Sequence, residues 1–222
     1  MEIGLRKNPK AEIKLIIVGD SGTGKTSICH RWTEGIFQPI YKVTIMTEFR
    51  HKIIEHKENL YKIYLWDIGG QDKNRYATKV LTKGAHGCII VCDMKNKNSL
   101  EGAALWKKAI EENQKFLDGS NLPSILLQNK CDLVDENERI DDTELKKIAQ
   151  ENGYLNAFKT SAKEGNGISE AMDYFIEQII DKLEAYSKDN NVPINKERAS
   201  ITLNKPKHED TTNNLNGEGG CC

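Results

Sequence analysis

The stretch IKLIIVGDSGTGKT, residues 13–26, decides the fold of this chain. A short apolar run through Val18 reads as a buried strand, and the residues from Lys25 to about Glu34 read as a helix. Between them, Gly19 to Thr26 match G-x-x-x-x-G-K-[ST], in the strand–loop–helix setting that the pattern's mechanism needs. Glycines let the backbone wrap so that successive N–H groups point at phosphate oxygens, aided by the helix N-terminus. The phosphate-binding set on this loop is Ser21, Gly22, Thr23, Gly24, Lys25, Thr26 and Ser27. Lys25 would reach the β- and γ-phosphates, and the Thr26 hydroxyl would ligate Mg²⁺. A glycine turn with an incidental lysine is the bland alternative. The loop alone says nucleotide, without saying which base or what reaction.

Outward from the loop, strand-like and helix-like patterns alternate as far as Tyr186. TEFRHKIIEH (47–56) and LYKIYLWDI (60–68) flank KEN and predict a hairpin. GCIIVCD and PSILLQNK predict two more buried strands, and YLNAFKTS a sixth, weaker one. Helices are expected over 74–82, over 99–117 with Ser99 as N-cap, and over about 142–152, ended by Gly153. In the last helix Ile168, Met172, Phe175, Ile176, Ile179, Ile180 and Leu183 form one apolar stripe that a core-facing helix fully explains. The alternation predicts an α/β fold, a largely parallel sheet with helices on both faces and one antiparallel edge strand. The expected organisation is a short extension (1–11), one domain (12–186) and a disordered Asn/Lys/Thr/Gly-rich tail (187–222).

Composition limits the function classes. A formal net charge of -1 over 222 residues gives no basic field for nucleic acid. No apolar run approaches the roughly 20 residues of a membrane span, and MEIGLRKNPKAE lacks a signal peptide's apolar core. The expectation is therefore a cytosolic chain. Glu2 rules out an N-myristoylated glycine. The six cysteines do not make a disulfide framework in that compartment, and Cys88 and Cys92 read as core packing. The five histidines offer no ligand cluster.

Three further boxes carry chemistry. WDIGGQ places Asp67 at a strand end, where a carboxylate can hold the magnesium's water shell. Gly70 can offer its N–H to a γ-phosphate and Gln71 can orient an attacking water. Alone, D-x-x-G is more often a turn. NKCD contributes Asn129, Lys130 and Asp132. An Asp carboxylate accepts both N1–H and the 2-amino group of guanine, donors that adenine lacks, so ATP would leave it unpaired. Asn129 can bond the far edge of the base, and the Lys130 stem can lie along its face. In TSAK, the Ala162 N–H could meet guanine O6, with Ser161 and Lys163 bracing the loop.

Four boxes in this order, each at a strand end, resemble the Ras-like small GTPases over about residues 12–184. The resemblance implies the P-loop GTPase fold: six strands, five helices and an antiparallel second strand. GDSGTGKT, WDIGGQ, GAHG and the terminal cysteine pair look most like the Rab family. That likeness implies Phe37 packing on guanine, Tyr41 over the nucleotide, and Thr44 touching Mg²⁺ and the γ-phosphate, with Gln71, Lys25 and Thr44 the catalytic set. It implies Mg²⁺ held by Thr26, Thr44 and Asp67, with GTP or GDP as ligand. Expected partners are an exchange factor, a GTPase-activating protein, a GDP-dissociation inhibitor, an escort protein and effectors, around a monomer that binds no nucleic acid. The chain departs from Rab usage at Met46, Gly69, Asn74 and Leu81, which bear on hydrolysis and partner choice, while Phe49 and Trp66 of the effector-facing aromatics are kept.

The leading expectation is a slow GTP-hydrolysing switch in membrane traffic. A GTP-binding scaffold with little turnover is the alternative, favoured by the loosening that Gly69 would bring next to Gln71. A small P-loop kinase would need an arginine-rich lid and an acceptor site, and neither is found. Cys221 and Cys222 are expected to carry geranylgeranyl groups, as in the Rab pattern, placing the protein on the cytoplasmic face of an intracellular membrane while it cycles with cytosol. From Ser187 onward five cations face five anions, so the tail supplies no polybasic second signal, and one lipid chain alone holds only marginally.

Overall fold

The computed structural model describes residues 8–40, 44, 47–70 and 75–194. Its six strands are β1 (Ala11–Val18), β2 (Glu48–His56), β3 (Asn59–Asp67), β4 (Gly87–Asp93), β5 (Ser124–Asn129) and β6 (Asn156–Lys159). They form one sheet in the order β2-β3-β1-β4-β5-β6, with every pairing parallel except β2–β3. The five α-helices are α1 (Lys25–Glu34), α2 (Arg75–Thr82), α3 (Asn98–Asn113), α4 (Asp142–Glu151) and α5 (Ile168–Asn190). The expected α/β sheet with one antiparallel edge strand and five helices is what forms.

The central strands are apolar on both faces because both faces are covered. On β4, Gly87 lies under Phe175 and Ile179 of α5. The next residue, Cys88, points the other way, near Lys107 and Glu111 of α3. Cys88 and Cys92 are free, buried thiols; burial pushes both up, Cys92 to about 12. Core packing is their role. The apolar stripe of α5 is buried as its spacing predicts. At the sheet edge β2 and β3 join through Lys57 and Glu58, both at positive φ (47° and 63°), as a two-residue hairpin whose twist suits the strands requires.

Two expectations about α3 do not hold. The helix starts at Asn98, and Ser99 is not its N-cap. The Ser99 hydroxyl instead donates to Asn96 O (2.6 Å) and accepts from the Asp93 N–H (2.8 Å), tying the end of β4 to the helix start. The helix also stops at Asn113 rather than 117. Phe116 has apolar character suited to a fourth turn, but its N–H bonds Ser120 O in a turn through Gly119, which takes the backbone away from the helix. At the other end of the chain α5 continues past Tyr186 to Asn190. Asn191, at φ 52°, then reverses the path: Val192 N–H bonds Ser187 O, and Ile194 packs on the core.

Candidate nucleotide site

Parallel strands all end at the same edge, so the loops after β1, β3, β5 and β6 gather there. They surround a cavity of about 350 Å³. Ser21, Gly22, Gly24, Lys25, Thr26 and Ser27 line one end. Asn129, Lys130, Asp132, Ala162 and Lys163 line the other, Thr44 and Gly70 stand with the phosphate loop, and Phe37 also lines the cavity. Thr23 and Ser161 are buried behind the wall. Tyr41, Gln71, Cys221 and Cys222 lie outside the described residues.

At the phosphate end the Lys25 ammonium donates to Gly19 O (2.9 Å) and Asp20 O (3.1 Å), the loop's own carbonyls. Burial lowers its pKa, opposed by the carboxylates of Asp67 and Asp20. Gly70 sits hard against this loop: a Cβ there would lie 2.5 Å from Ser21 N and 2.8 Å from Lys25 Nζ. Any side chain would push the two loops apart. From α3, Trp106 Nε1 donates to Asp20 Oδ1 (3.2 Å).

Three oxygens converge beside Lys25. Thr26 Oγ1 donates to Asp67 Oδ2 (2.5 Å) and lies 2.8 Å from Thr44 Oγ1. Thr26 has one proton and gives it to Asp67, so Thr44 is the donor in the second bond. Asp67 is 2% exposed, and burial raises its carboxyl pKa. Its Oδ1 is buried with no partner among the described residues. One carboxylate with an unpaired oxygen and two hydroxyls is a hard-oxygen set, which suits Mg²⁺ and not a soft metal. Among the described residues no cluster of three His, Cys, Asp or Glu offers another metal site.

At the far end Asn129 is a hub. Its amide nitrogen donates to Thr23 O (2.9 Å), and its oxygen accepts from Ala162 N–H and Thr160 Oγ1, both at 3.2 Å. The side chain therefore joins three loops, and Gly24 is shaped around it: a Cβ there would lie 2.4 Å from Asn129 Nδ2, on a backbone at φ 97°. Asp132 Oδ1 accepts from Ser161 Oγ (2.7 Å). Lys130, in the left-handed region at φ 64°, pairs with Asp93 (2.8 Å).

The sequence reading passed over several residues. His30, Gln38, Pro39, Ile40 and Leu133 also line the cavity. His30 faces Glu34 (3.2 Å) on one ring nitrogen and Arg50 of β2 (2.9 Å) on the other. Because a guanidinium only donates, His30 Nε2 accepts and Nδ1 carries the proton. Arg31 reaches the loop after β6, which no local pattern signals. On the sheet's outer surface Phe49, 63% exposed, stacks on Trp66 at 5.8 Å, while Leu81 packs toward the core.

A family model described as the Ras family matches residues 14–181 of this geometry. The chain belongs to the Ras family. Its relatives place it among the Rab members. It is 36% identical over 169 residues to the Ras-related protein Rab-32C of Dictyostelium discoideum, covering 76% of this chain and 74% of that one. It is 28% identical over 210 residues to human Rab-32 (94% and 88%) and 30% identical over 168 residues to human Rab-7L1 (75% and 82%). The chain is thus a GTPase, a Rab-like small GTPase of membrane trafficking. Membership does not favour the scaffold without turnover. Ras-family GTPases bind GTP and GDP, generally with Mg²⁺, and work with regulators and effectors. No helix among the described residues is long and apolar enough to cross a membrane.

Proposed function

We propose that the cavity binds GTP or GDP with Mg²⁺, reads guanine through Asp132, and turns GTP over by water attack at the γ-phosphate. The observation that carries this reading is the placement of Lys25, Thr26, Thr44 and Asp67 at one end of a single cavity and Asp132 at the other. Lys25 holds the β- and γ-phosphates; its loop carbonyls already fix where the ammonium sits. Mg²⁺, held by Thr26, Thr44 and Asp67, supplies positive charge to the phosphate oxygens. Gly70 offers its N–H to the γ-phosphate, and Gln71 orients the water. Phe37 packs on the base with the Lys130 stem opposite, and Tyr41 covers the nucleotide.

Loss of the γ-phosphate removes a ligand that Thr44 and Gly70 share, so the segments flanking them change partners between the two states. An exchange factor, a GTPase-activating protein, a GDP-dissociation inhibitor, an escort protein and GTP-state effectors fit that cycle. The expected GTPase domain of residues 12–186 extends to Ile194, which packs on its core, and Cys221 and Cys222 carry two geranylgeranyl groups that hold the protein to the cytoplasmic face of a membrane. Charge balance supports the need for two: Lys196, Arg198, Lys205 and Lys207 are matched by Glu197, Glu209, Asp210 and Glu218.

Extraction and chromatography of the ligand that co-purifies with the chain tests the site. Guanine nucleotide released by chelation of Mg²⁺ is expected. Asp132→Asn should shift preference toward xanthine nucleotides, whose 2-oxygen accepts from an amide. Adenine nucleotide, or an unchanged base preference in that variant, refutes the assignment.

A further inference from the structure

Arg31 stands near the C-terminal end of α1 and makes three hydrogen bonds to main-chain carbonyls. Its Nε donates to Ala162 O (2.9 Å), Nη2 to Lys163 O (2.7 Å) and Nη1 to Gly35 O (2.7 Å). A guanidinium is a rigid planar fork of donors. Three of them aimed at carbonyls fix where two segments of chain lie relative to each other, and this is positional work.

One segment is wall at the base end of the cavity, and the other leads into the wall of the same cavity. Ala162 and Lys163 line it directly. Gly35 caps α1 and stands two residues before Phe37, which also lines it. The loop carrying Ala162 is gripped from its inner side too, by Asn129 at the Ala162 N–H and by Asp132 at the Ser161 hydroxyl. The loop curls round the arginine, with the Cβ position of Gly165 lying 3.7 Å from Arg31 Cδ. One end of the loop therefore faces the residue that would read guanine, and the other rests on Arg31.

We propose that Arg31 is a positioning residue for base recognition: it holds the Ala162–Lys163 wall against Asn129 and Asp132 and sets how long, and how selectively, a guanine nucleotide stays bound. This rests on the guanine reading above. Arg31 touches neither phosphate loop nor magnesium set in the bonds described. Its removal acts on the base end. With the outer grip gone, the Ser161–Asp132 bond slackens, and the carboxylate loses its fixed aim at the 2-amino group.

The test compares GDP with inosine diphosphate, which lacks only that amino group, by displacement of ribose-labelled fluorescent derivatives from the full chain. Wild type, Arg31→Lys and Arg31→Gln are measured with Mg²⁺ and again with chelator. Loss of charge-assisted bonds of this kind should speed GDP release by about tenfold or more. IDP release should speed up less, so the preference for GDP over IDP shrinks, by the same factor with and without Mg²⁺. Lysine keeps the charge and much of the stem but lacks the fork, so Arg31→Lys should show the loss even if Arg31→Gln fails to fold. Equal acceleration of GDP and IDP, or unchanged release in Arg31→Lys, overturns the positioning role. A wild-type chain that holds GDP no longer than IDP overturns the guanine reading itself, and this proposal with it.

Discussion

Acid should loosen this domain through one imidazole, and the size of the effect can be worked out. His86 is 7% exposed at the edge of the sheet away from the nucleotide cavity. Its Nδ1 accepts the Lys14 N–H at 3.0 Å, a bond that requires that nitrogen unprotonated. Burial, and then the Lys14 charge, lower its pKa from 6.5 to about 4. Glu12 lines the same crevice, and burial dominates the ring's shift. Above pH 6.5 the ring is neutral in both the folded and the unfolded chain, and its contribution is complete. As pH falls from 6.5 toward 4 the unfolded chain takes up a proton that the folded chain refuses, so stability is lost through that window. The full loss is about 3 kcal/mol, of which about 2 kcal/mol is gone by pH 5. Urea unfolding of wild type and His86→Asn, each saturated with the same nucleotide, measures it between pH 8 and pH 5. Asparagine removes the titration and can still accept from Lys14, so the stability difference between the two chains should shift by about 2 kcal/mol in favour of the variant at pH 5. Parallel pH profiles would refute the argument.

Gly24→Ala should weaken GDP binding on the order of 100-fold in equilibrium titration, since positive φ costs about 1–2 kcal/mol and the displaced Asn129 amide about 1 kcal/mol more. Affinity within threefold of wild type would contradict the packing described. Gln71→Leu should slow single-turnover hydrolysis by about tenfold or more while leaving GTP affinity nearly intact, because a water-orienting group acts in the transition state; faster hydrolysis would overturn its role. Mass spectrometry of the C-terminal peptide from native cells should show two isoprenoids. Either Cys221→Ser or Cys222→Ser should then lose much membrane association, which salt should hardly alter; release by salt alone would place the anchor elsewhere.

What could be read in advance follows from where each signal lives. The phosphate loop, Asp67, Asp132 and the α5 stripe are local patterns whose chemistry sits in consecutive or helically spaced side chains. The largely parallel sheet with one antiparallel edge strand followed from strand–helix alternation broken by a single hairpin, whereas the strand order depends on which strands pair across the sheet, and no local pattern carries that. Arg31 was invisible because its acceptors are carbonyls, one of them 131 residues away, and every residue type carries a carbonyl. Ser99 misled for a related reason. A serine ahead of an apolar-periodic run is a cap by pattern, but β4 ends close enough to take its hydroxyl first. Asn129 is expected from its box to bond the base, and its position in the cavity wall shows more than its type could. Its amide ties its own loop to two others, so it serves the architecture of the cavity as much as any ligand within it.

The reversal after α5 sets a length. Had the chain left the domain at Tyr186, 35 further residues would separate it from Cys221. With Val192 bonded back to Ser187 and Ile194 seated on the core, only 27 remain. At the roughly 3.6 Å per residue of a fully stretched chain, that caps the leash at about 100 Å instead of about 125 Å. The departure point also lies by Glu12 and His86, under the edge opposite the nucleotide. The leash therefore starts at the end of the sheet away from the cavity mouth, and its pull on the domain is applied there.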